Sequence, residues 1–132
     1  MQRRYLIDTQ VLIWALISPE MLSQKVREIL SEHLIYVSRI SLLEIAIKQK
    51  LDKLPMLKVN VEDLENRLVQ DGFQIMHLKT SHIAGYDVIP FFPIHQDPFD
   101  RILLATAFAE SIPIISSDQN FKLYSAILRV IS

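Results

Sequence analysis

Arg4-Tyr5-Leu6-Ile7-Asp8-Thr9 is a short apolar run that ends abruptly in a carboxylate. The aromatic and β-branched side chains of this run favour a buried strand over a helix. In open α/β sheets ligands bind at the carboxyl ends of the strands, so Asp8 would stand at a functional edge. Aspartate is also a good N-cap for the helix that follows. The stretch therefore leaves a ligand-binding role and a capping role open for Asp8.

Composition narrows the class of protein. The 132 residues suit a single domain, 1–132, and the 50% that are hydrophobic can build a substantial core. Cysteine is absent, which excludes disulfides and thiolate metal sites. The apolar run after Arg3 and Arg4 is too short for a signal peptide or a membrane span, so we expect a soluble, cytoplasmic protein. A net charge of -1 provides no global basic field, so a nucleic acid would need a local patch or a metal.

Short apolar runs alternate with amphipathic segments along the chain, which is typical of a parallel sheet flanked by helices. Beyond the opening run, strands are predicted at 34–37, 73–76, 113–115 and 127–131, with the last at an edge of the sheet. Helices are predicted at 11–16, 21–33, 38–51, 62–70, 81–86 and 98–111.

Glu44 lies in the third predicted helix and has two interpretations. Ser41 and Glu44 fit a capping box, with Ile40 and Ile45 placed as a hydrophobic staple. At 100° per residue, however, Glu44 lies on one stripe with Leu43, Ile47 and Leu51, which would aim its carboxylate at the core. A charge that points inward needs a partner or a cation.

Two aspartates open the last long helix. Pro98 suits the first helical position, which makes Asp97 the N-cap, and we prefer this structural role for it. Asp100 lies in the first turn, where the helix dipole favours it, and also on the inward face. Arg101 is about 100° further round the helix, which favours a salt bridge or a phosphate contact.

A similar acid follows the strand at 113–115. Ser116 and Ser117 lead to Asp118, which either caps the next turn or adds a fourth carboxylate to the same edge. Three histidines, His77, His82 and His95, match no metal-binding spacing and are interpreted as surface or core residues. A small basic cluster, Lys48, Lys50 and Lys53, is typical of a solvated surface and is the candidate for RNA contacts.

Two strand tips and two helix faces thus present a carboxylate each: Asp8, Glu44, Asp100 and Asp118. Four acids at close quarters repel one another, and the sequence supplies no matching set of inward arginines. Oxygen ligands alone suit Mg²⁺ or Mn²⁺ rather than zinc. Such a metal activates water against a phosphodiester, so we predict metal-dependent hydrolysis of phosphate esters.

The ordered set Leu6-Ile7-Asp8-Thr9, Ser41-Leu-Leu-Glu44, Asp97-Pro-Phe-Asp100-Arg101 and Ser117-Asp118 with Phe121 resembles a PIN domain. Within that family it is most similar to the VapC-like toxins of prokaryotic toxin-antitoxin pairs. The likeness covers nearly the whole chain.

This resemblance implies a three-layer α/β/α fold and a magnesium-dependent endoribonuclease, usually dimeric and silenced by a cognate antitoxin. Motif matching gives Asp8, Glu44 and Asp100 the core acidic positions and Asp118 the fourth. Thr9 and Ser116 match small hydroxyls that help to order the site. Of Asp97 and Asp100, we choose Asp100 as the metal ligand.

The predicted partners are an RNA, an antitoxin and a second copy of the chain. The net charge of -1 favours one structured RNA over bulk degradation. Apolar surface for an antitoxin is expected on the early helices, 11–16 and 22–30. The alternative function is a catalytically idle interaction module that uses the same scaffold to bind a protein or an RNA.

Overall fold

The computed structural model describes residues 2–132, and one parallel sheet forms its centre. The strands are β1 (Arg4–Ile7), β2 (Leu34–Ser38), β3 (Gln74–Met76), β4 (Ile114–Ile115) and β5 (Val130–Ile131). Their order across the sheet is β3-β2-β1-β4-β5, and each neighbouring pair is parallel. The predicted parallel sheet is therefore confirmed, although the last strand is shorter than 127–131.

Helices cover both faces of this sheet. They are α1 (Thr9–Ile17), α2 (Gln24–Glu32), α3 (Arg39–Lys50), α4 (Val61–Gln70), α5 (Thr80–Gly85) and α6 (Pro98–Glu110), with 3₁₀ turns at Pro19–Met21 and Gln119–Tyr124. None of these helices in residues 2–132 has the length and apolar character to cross a membrane.

The central strand β1 explains the layering. Its side chains alternate between faces. Tyr5 and Ile7 pack in the core formed with α1, α2 and α4, whereas Leu6 packs in the core formed with α6. All three are buried, as expected for a parallel strand covered on both faces. The architecture is the expected three-layer α/β/α fold.

The N-cap of α3 differs from the one that the capping-box interpretation gave. Ser38, not Ser41, is the N-cap, and its hydroxyl accepts a hydrogen bond from the Ile40 backbone N–H at 3.1 Å. Ser41 is therefore inside the helix and fully buried, and the proposed capping box with Glu44 is wrong. Ser38 ends β2 and α3 follows it directly, so the predicted range 38–51 agrees with the structure and only the cap residue differs.

The face of α3 that was expected to point inward is exposed. Leu43, Ile47 and Leu51 are 51%, 38% and 57% exposed, while Leu42 and Ile45 are buried. The reason is that α3 contacts α1, α4 and α6. These contacts bury the side of the helix that carries Leu42 and Ile45. The predicted inward stripe is therefore wrong, and Glu44 reaches its position from the border of the buried face.

The early helices also carry less free apolar surface than expected. Val11, Leu12 and Ile13 of α1 and Val26 of α2 are buried in the core. Large exposed apolar side chains lie instead on α3 and in the segment 83–94. Trp14, Ala15, Leu16, Ile29 and Leu30 are half-buried, so these helices keep some apolar surface, and their use as an antitoxin surface stays a prediction.

Candidate functional site

The strands β1 and β4 lie side by side at the centre of the sheet, and the chain leaves them in opposite directions. From β1 it continues to β2 on one side, and from β4 to β5 on the other. Ligands of open α/β sheets bind in the crevice at such a switch point. Asp8 follows β1, and its backbone N–H donates to the Ile115 carbonyl at 3.0 Å, which ties the two strand ends together.

A cavity of about 410 Å³ opens at this edge. Its lining contains all four acids singled out from the sequence, together with Asp97. The lining residues are Asp8, Thr9, Gln10, Trp14, Glu44, Lys48, Asp97, Asp100, Ser117 and Asp118. The structure thus brings together carboxylates from four separate segments of the chain.

Asp8 combines both interpretations that its sequence context allowed. One carboxylate oxygen, Oδ1, accepts from the Val11 backbone N–H at 2.8 Å, so Asp8 is the N-cap of α1. Burial raises the pKa of its carboxyl to about 7, against the hydrogen bonds from Ser116 and Val11, and the charges of Asp100 and Asp118 raise it further. A cap alone does not require an acid that is 3% exposed and faces other acids.

Glu44 supplies the clearest unsatisfied group of the cavity. Its side chain is 14% exposed, and Oε2 lies 3.7 Å from the Lys48 ammonium nitrogen. The other oxygen, Oε1, is buried and has no hydrogen-bond partner among the described residues. A buried carboxylate oxygen without a partner is energetically costly, and a cation in the cavity would remove that cost.

Asp100 is held by a short chain of hydrogen bonds. Its Oδ2 lies 3.0 Å from His95 Nε2, and His95 Nδ1 lies 2.8 Å from the Tyr124 hydroxyl. An ionised carboxylate only accepts, so Nε2 donates to Asp100, and in a neutral ring Nδ1 then accepts from the Tyr124 hydroxyl. Burial raises the pKa of Asp100 to about 6, against the His95 hydrogen bond, and the charges of Asp97 and Glu44 also raise it.

His95 is the site residue that sequence reasoning missed. Its interpretation as a core histidine is correct, since it is 4% exposed, but its contact with Asp100 was not foreseen. The only available signal was its position five residues before Asp100, which matches no metal-binding spacing. Ligand atoms of His95, Asp100 and Asp118 lie within 4.8 Å of one another. Since both ring nitrogens of His95 are used in hydrogen bonds, we assign it to the orientation of Asp100.

Asp118 and the two small hydroxyls order the rim. Asp118 is exposed and caps the 3₁₀ turn through the Asn120 N–H at 2.9 Å. Ser116 Oγ accepts from the Asp118 N–H at 3.1 Å, and buried Thr9 Oγ1 donates to Ser41 Oγ at 2.9 Å. These bonds fix the backbone beside Asp8 and Asp118.

Of the other predicted residues, Asp97 and one of the three lysines line the cavity. Asp97 is the N-cap of α6, as predicted, and accepts from the backbone N–H of Phe99 at 2.8 Å and of Asp100 at 3.2 Å. Of the three lysines, Lys48 lines the cavity, whereas Lys50 and Lys53 are exposed and do not line it.

Arg101 does not have the predicted role. It is 4% exposed, and its guanidinium donates to the carbonyls of Pro90 at 2.8 Å and Ile89 at 3.0 Å. The guanidinium carbon lies 4.7 Å from the centre of the Tyr86 ring. A salt bridge or phosphate contact is therefore wrong for Arg101, which instead fixes the loop between α5 and α6. Its side chain turns inward because the loop folds back over the start of α6.

Fold and cavity together define an α/β protein with a carboxylate-lined crevice at the switch point of a parallel sheet. The PIN domain family model matches residues 5–127, and the chain belongs to this family. No curated protein sequence matches the chain significantly.

Solved structures with the same fold are distant in sequence. VapBC2 from Rickettsia felis, bound to a DNA fragment from its promoter, has a TM-score of 0.69 at 16% identity and covers 97% of both chains. DNA-bound VapBC from Salmonella typhimurium has a TM-score of 0.66 at 14% identity, covering 98% of this chain and 97% of the other. A toxin-antitoxin complex from Klebsiella pneumoniae has a TM-score of 0.62 at 18% identity, covering 97% and 96%.

Proposed function

We propose that the chain is a divalent-metal-dependent endoribonuclease and the toxin of a toxin-antitoxin pair. The observation that carries this proposal is the convergence of Asp8, Glu44, Asp100 and Asp118 on one cavity, with a buried Glu44 oxygen left unpartnered. Membership of the PIN-domain family supports nuclease chemistry. The similar structures are described as VapBC and toxin-antitoxin complexes, which supports the toxin role.

Asp8, Glu44 and Asp100 would hold Mg²⁺ or Mn²⁺, and Asp118 would complete the acidic set. Oxygen donors without thiolates suit these hard cations. When bound, the ion polarises the phosphodiester and makes water a better nucleophile. The acids that surround the cavity repel a bare phosphate, so the substrate depends on the cation for binding.

The chain's own residues prepare this chemistry. His95 donates to Oδ2 of Asp100 and so fixes the direction of that carboxylate. The cap on α1 fixes Asp8 in the same way, through the Val11 N–H. Lys48 lines the cavity and provides a positive charge for the RNA backbone, whereas exposed Lys50 and Lys53 lie outside it and could contact RNA only further along the strand.

An antitoxin partner fits the exposed face of α3. Leu43, Ile47 and Leu51 form a stripe on the same helix as Glu44 and Lys48, which line the acidic cavity. A partner segment with apolar side chains for this stripe and one basic side chain would neutralise the acids and exclude the metal. The active toxin would be a homodimer.

Two substitutions test the nuclease. Asp8→Asn and Asp100→Asn should each keep the fold, by circular dichroism, and lower magnesium-dependent RNA cleavage by at least about 100-fold, since even outer-shell changes lower metal-site activity 10- to 100-fold. Asp71→Asn, an exposed acid outside the cavity, is the matched control and should cut at the wild-type rate.

Calorimetry with Mg²⁺ or Mn²⁺ separates the nuclease from an idle interaction module. Wild type should bind the metal and both cavity variants should bind it much more weakly. Wild-type cleavage rates in Asp8→Asn or Asp100→Asn would overturn the assignment. A folded wild-type protein that binds neither ion would favour the idle module.

A further inference from the structure

A second cavity adjoins the acidic one. It measures about 270 Å³ and shares two lining residues, Trp14 and Ser117, with the acidic cavity. Its wall is built from α1, the start of α2 and the end of β4, including Val11, Val26 and Ile115. We call it the neutral cavity. Any ligand chain that leaves the acidic cavity on this side passes Trp14 directly.

The side chains that line the two cavities differ in charge. Five carboxylates and one lysine line the acidic cavity, whereas the described residues that line the neutral cavity include no charged side chain. Buried Leu22 and Val26 supply apolar contacts, while Ser23 and Gln119 supply hydrogen-bonding groups. This combination suits an uncharged, flat group with polar edges.

The neutral cavity has room for a small planar group, since its volume is about 270 Å³. A single nucleobase fits this space, and single-stranded RNA is commonly recognised by stacking such unpaired bases on aromatic side chains.

We propose that the neutral cavity is a nucleobase subsite in which Trp14 stacks on the base next to the phosphate that occupies the acidic cavity. This inference rests on the proposed ribonuclease function, because it names the part of the RNA that lies beside the reacting group. It makes Trp14 a binding residue that selects an unpaired base, with Ser23 and Gln119 placed to contact its edge.

The wild-type protein tests this directly, because Trp14 is its one tryptophan. Adenosine, guanosine, cytidine and uridine 5′-monophosphates are titrated in magnesium while the tryptophan fluorescence is followed, with ribose 5-phosphate as the control. At least one nucleotide should quench the fluorescence saturably, and ribose 5-phosphate should not. These ligands contain no phosphodiester, so the result does not depend on cleavage. Absence of quenching by all four nucleotides would overturn the subsite.

Variants give a second measurement. Trp14→Leu should raise KM for a short single-stranded RNA by about 5- to 150-fold, the range of stacking contributions per base, and change kcat less. Met21→Glu places a charge in the neutral cavity at a residue that is 56% exposed, and should also raise KM. Met56→Glu, at a residue that is 75% exposed outside either cavity, is the matched control.

The two hypotheses fail in different ways. If wild type cuts RNA and both Trp14→Leu and Met21→Glu keep the wild-type KM, the subsite is wrong and the nuclease stands. If wild type does not cut RNA, the proposed function fails whatever the fluorescence shows. If nucleotides do not quench and both variants lose affinity for the antitoxin of the proposed pair, the neutral cavity docks a protein and the inference is wrong.

Discussion

Each end of α6 carries a histidine–carboxylate pair, and the two pairs lie in opposite electrostatic settings. At the N-terminal end, His95 Nε2 lies 3.0 Å from Asp100 Oδ2. At the C-terminal end, His82 Nε2 lies 2.8 Å from Glu110 Oε2. Both histidines are buried, so each pair links a covered ring to a more accessible carboxylate.

The neighbours of each carboxylate decide what the pair does. The His82 hydrogen bond lowers the pKa of Glu110, and the Lys79 ammonium, 3.4 Å from Glu110 Oε2, contributes in the same direction. The pKa of Asp100 is instead raised to about 6, by burial and by the acids beside it. The Glu110 carboxylate therefore lies beside a cation, whereas the Asp100 carboxylate lies among other acids.

The largest expected effect is a difference in pH dependence between the acidic cavity and the Glu110 pair. The pKa of Asp8 is about 7 in the folded protein and 3.8 ordinarily, so the folded state holds a proton that the unfolded chain releases. Stability from this group falls as pH rises from about 4 to about 7. In metal-free buffer at pH 8, Asp8→Asn should be more stable than wild type by on the order of 2–4 kcal/mol.

Glu110 should behave in the opposite way. Its pKa is lowered, so its stabilising contribution is present above its ordinary pKa of 4.5 and is lost as pH falls through the lowered value. Glu110→Gln should therefore destabilise the protein at pH 8 and have little effect in strong acid. Chemical denaturation at pH 8, at pH 5 and in strong acid measures both variants. Magnesium should stabilise wild type but not Asp8→Asn. An Asp8→Asn protein less stable than wild type at pH 8 would contradict this account.

The sequence predicted the positions of the acidic residues better than the contacts that hold them in place. Asp8 and Asp118 each follow a short apolar strand, and a parallel sheet places such strand ends at one edge whatever the details of packing. The inward position of Asp100 follows from helix periodicity in the same way. These features are local, so a single stretch of sequence contains them.

Features that depend on contacts between distant segments could not be predicted. The His95 contact with Tyr124 joins residues 29 apart in sequence. Arg101 is buried because the loop at 89–90 presents carbonyls to it, and no charge pattern indicates that. The buried face of α3 was assigned wrongly because the helix packs against three others, where apolar periodicity does not identify a single inward stripe.

The second effect concerns metal affinity at the two ends of α6. His95→Phe keeps a ring in the core but removes the hydrogen bond to Asp100, so that carboxylate is no longer held in one direction. Metal affinity should fall about 10- to 100-fold, as for other residues that orient metal ligands. His82→Phe, the matched change at the other end, should lower thermal stability and leave metal affinity unchanged. Calorimetry with Mn²⁺ on both folded variants measures this, and equal affinities for His95→Phe and wild type would remove His95 from the site.

The smallest effect separates Asp97 from Asp100, which lie three residues apart at the same helix end. Asp97 accepts two backbone N–H groups of α6, and loss of an N-cap typically costs about 1 kcal/mol. Asp97→Ala should lower the free energy of unfolding by that amount and leave metal affinity nearly intact. Asn60→Ala, which removes the cap of α4 outside both cavities, is the control for capping alone.

Asp97→Asn makes the same comparison without loss of the cap, because asparagine caps helices as well as aspartate does. The charge of Asp97 is one of the causes that raise the pKa of Asp100, so its removal should lower the pKa of Asp100 while stability changes little. Nuclear magnetic resonance titration of the Asp100 carboxyl measures that shift. If a well-folded Asp97→Ala or Asp97→Asn protein no longer binds metal, then Asp97 is the ligand, and the assignment of the two aspartates must be exchanged.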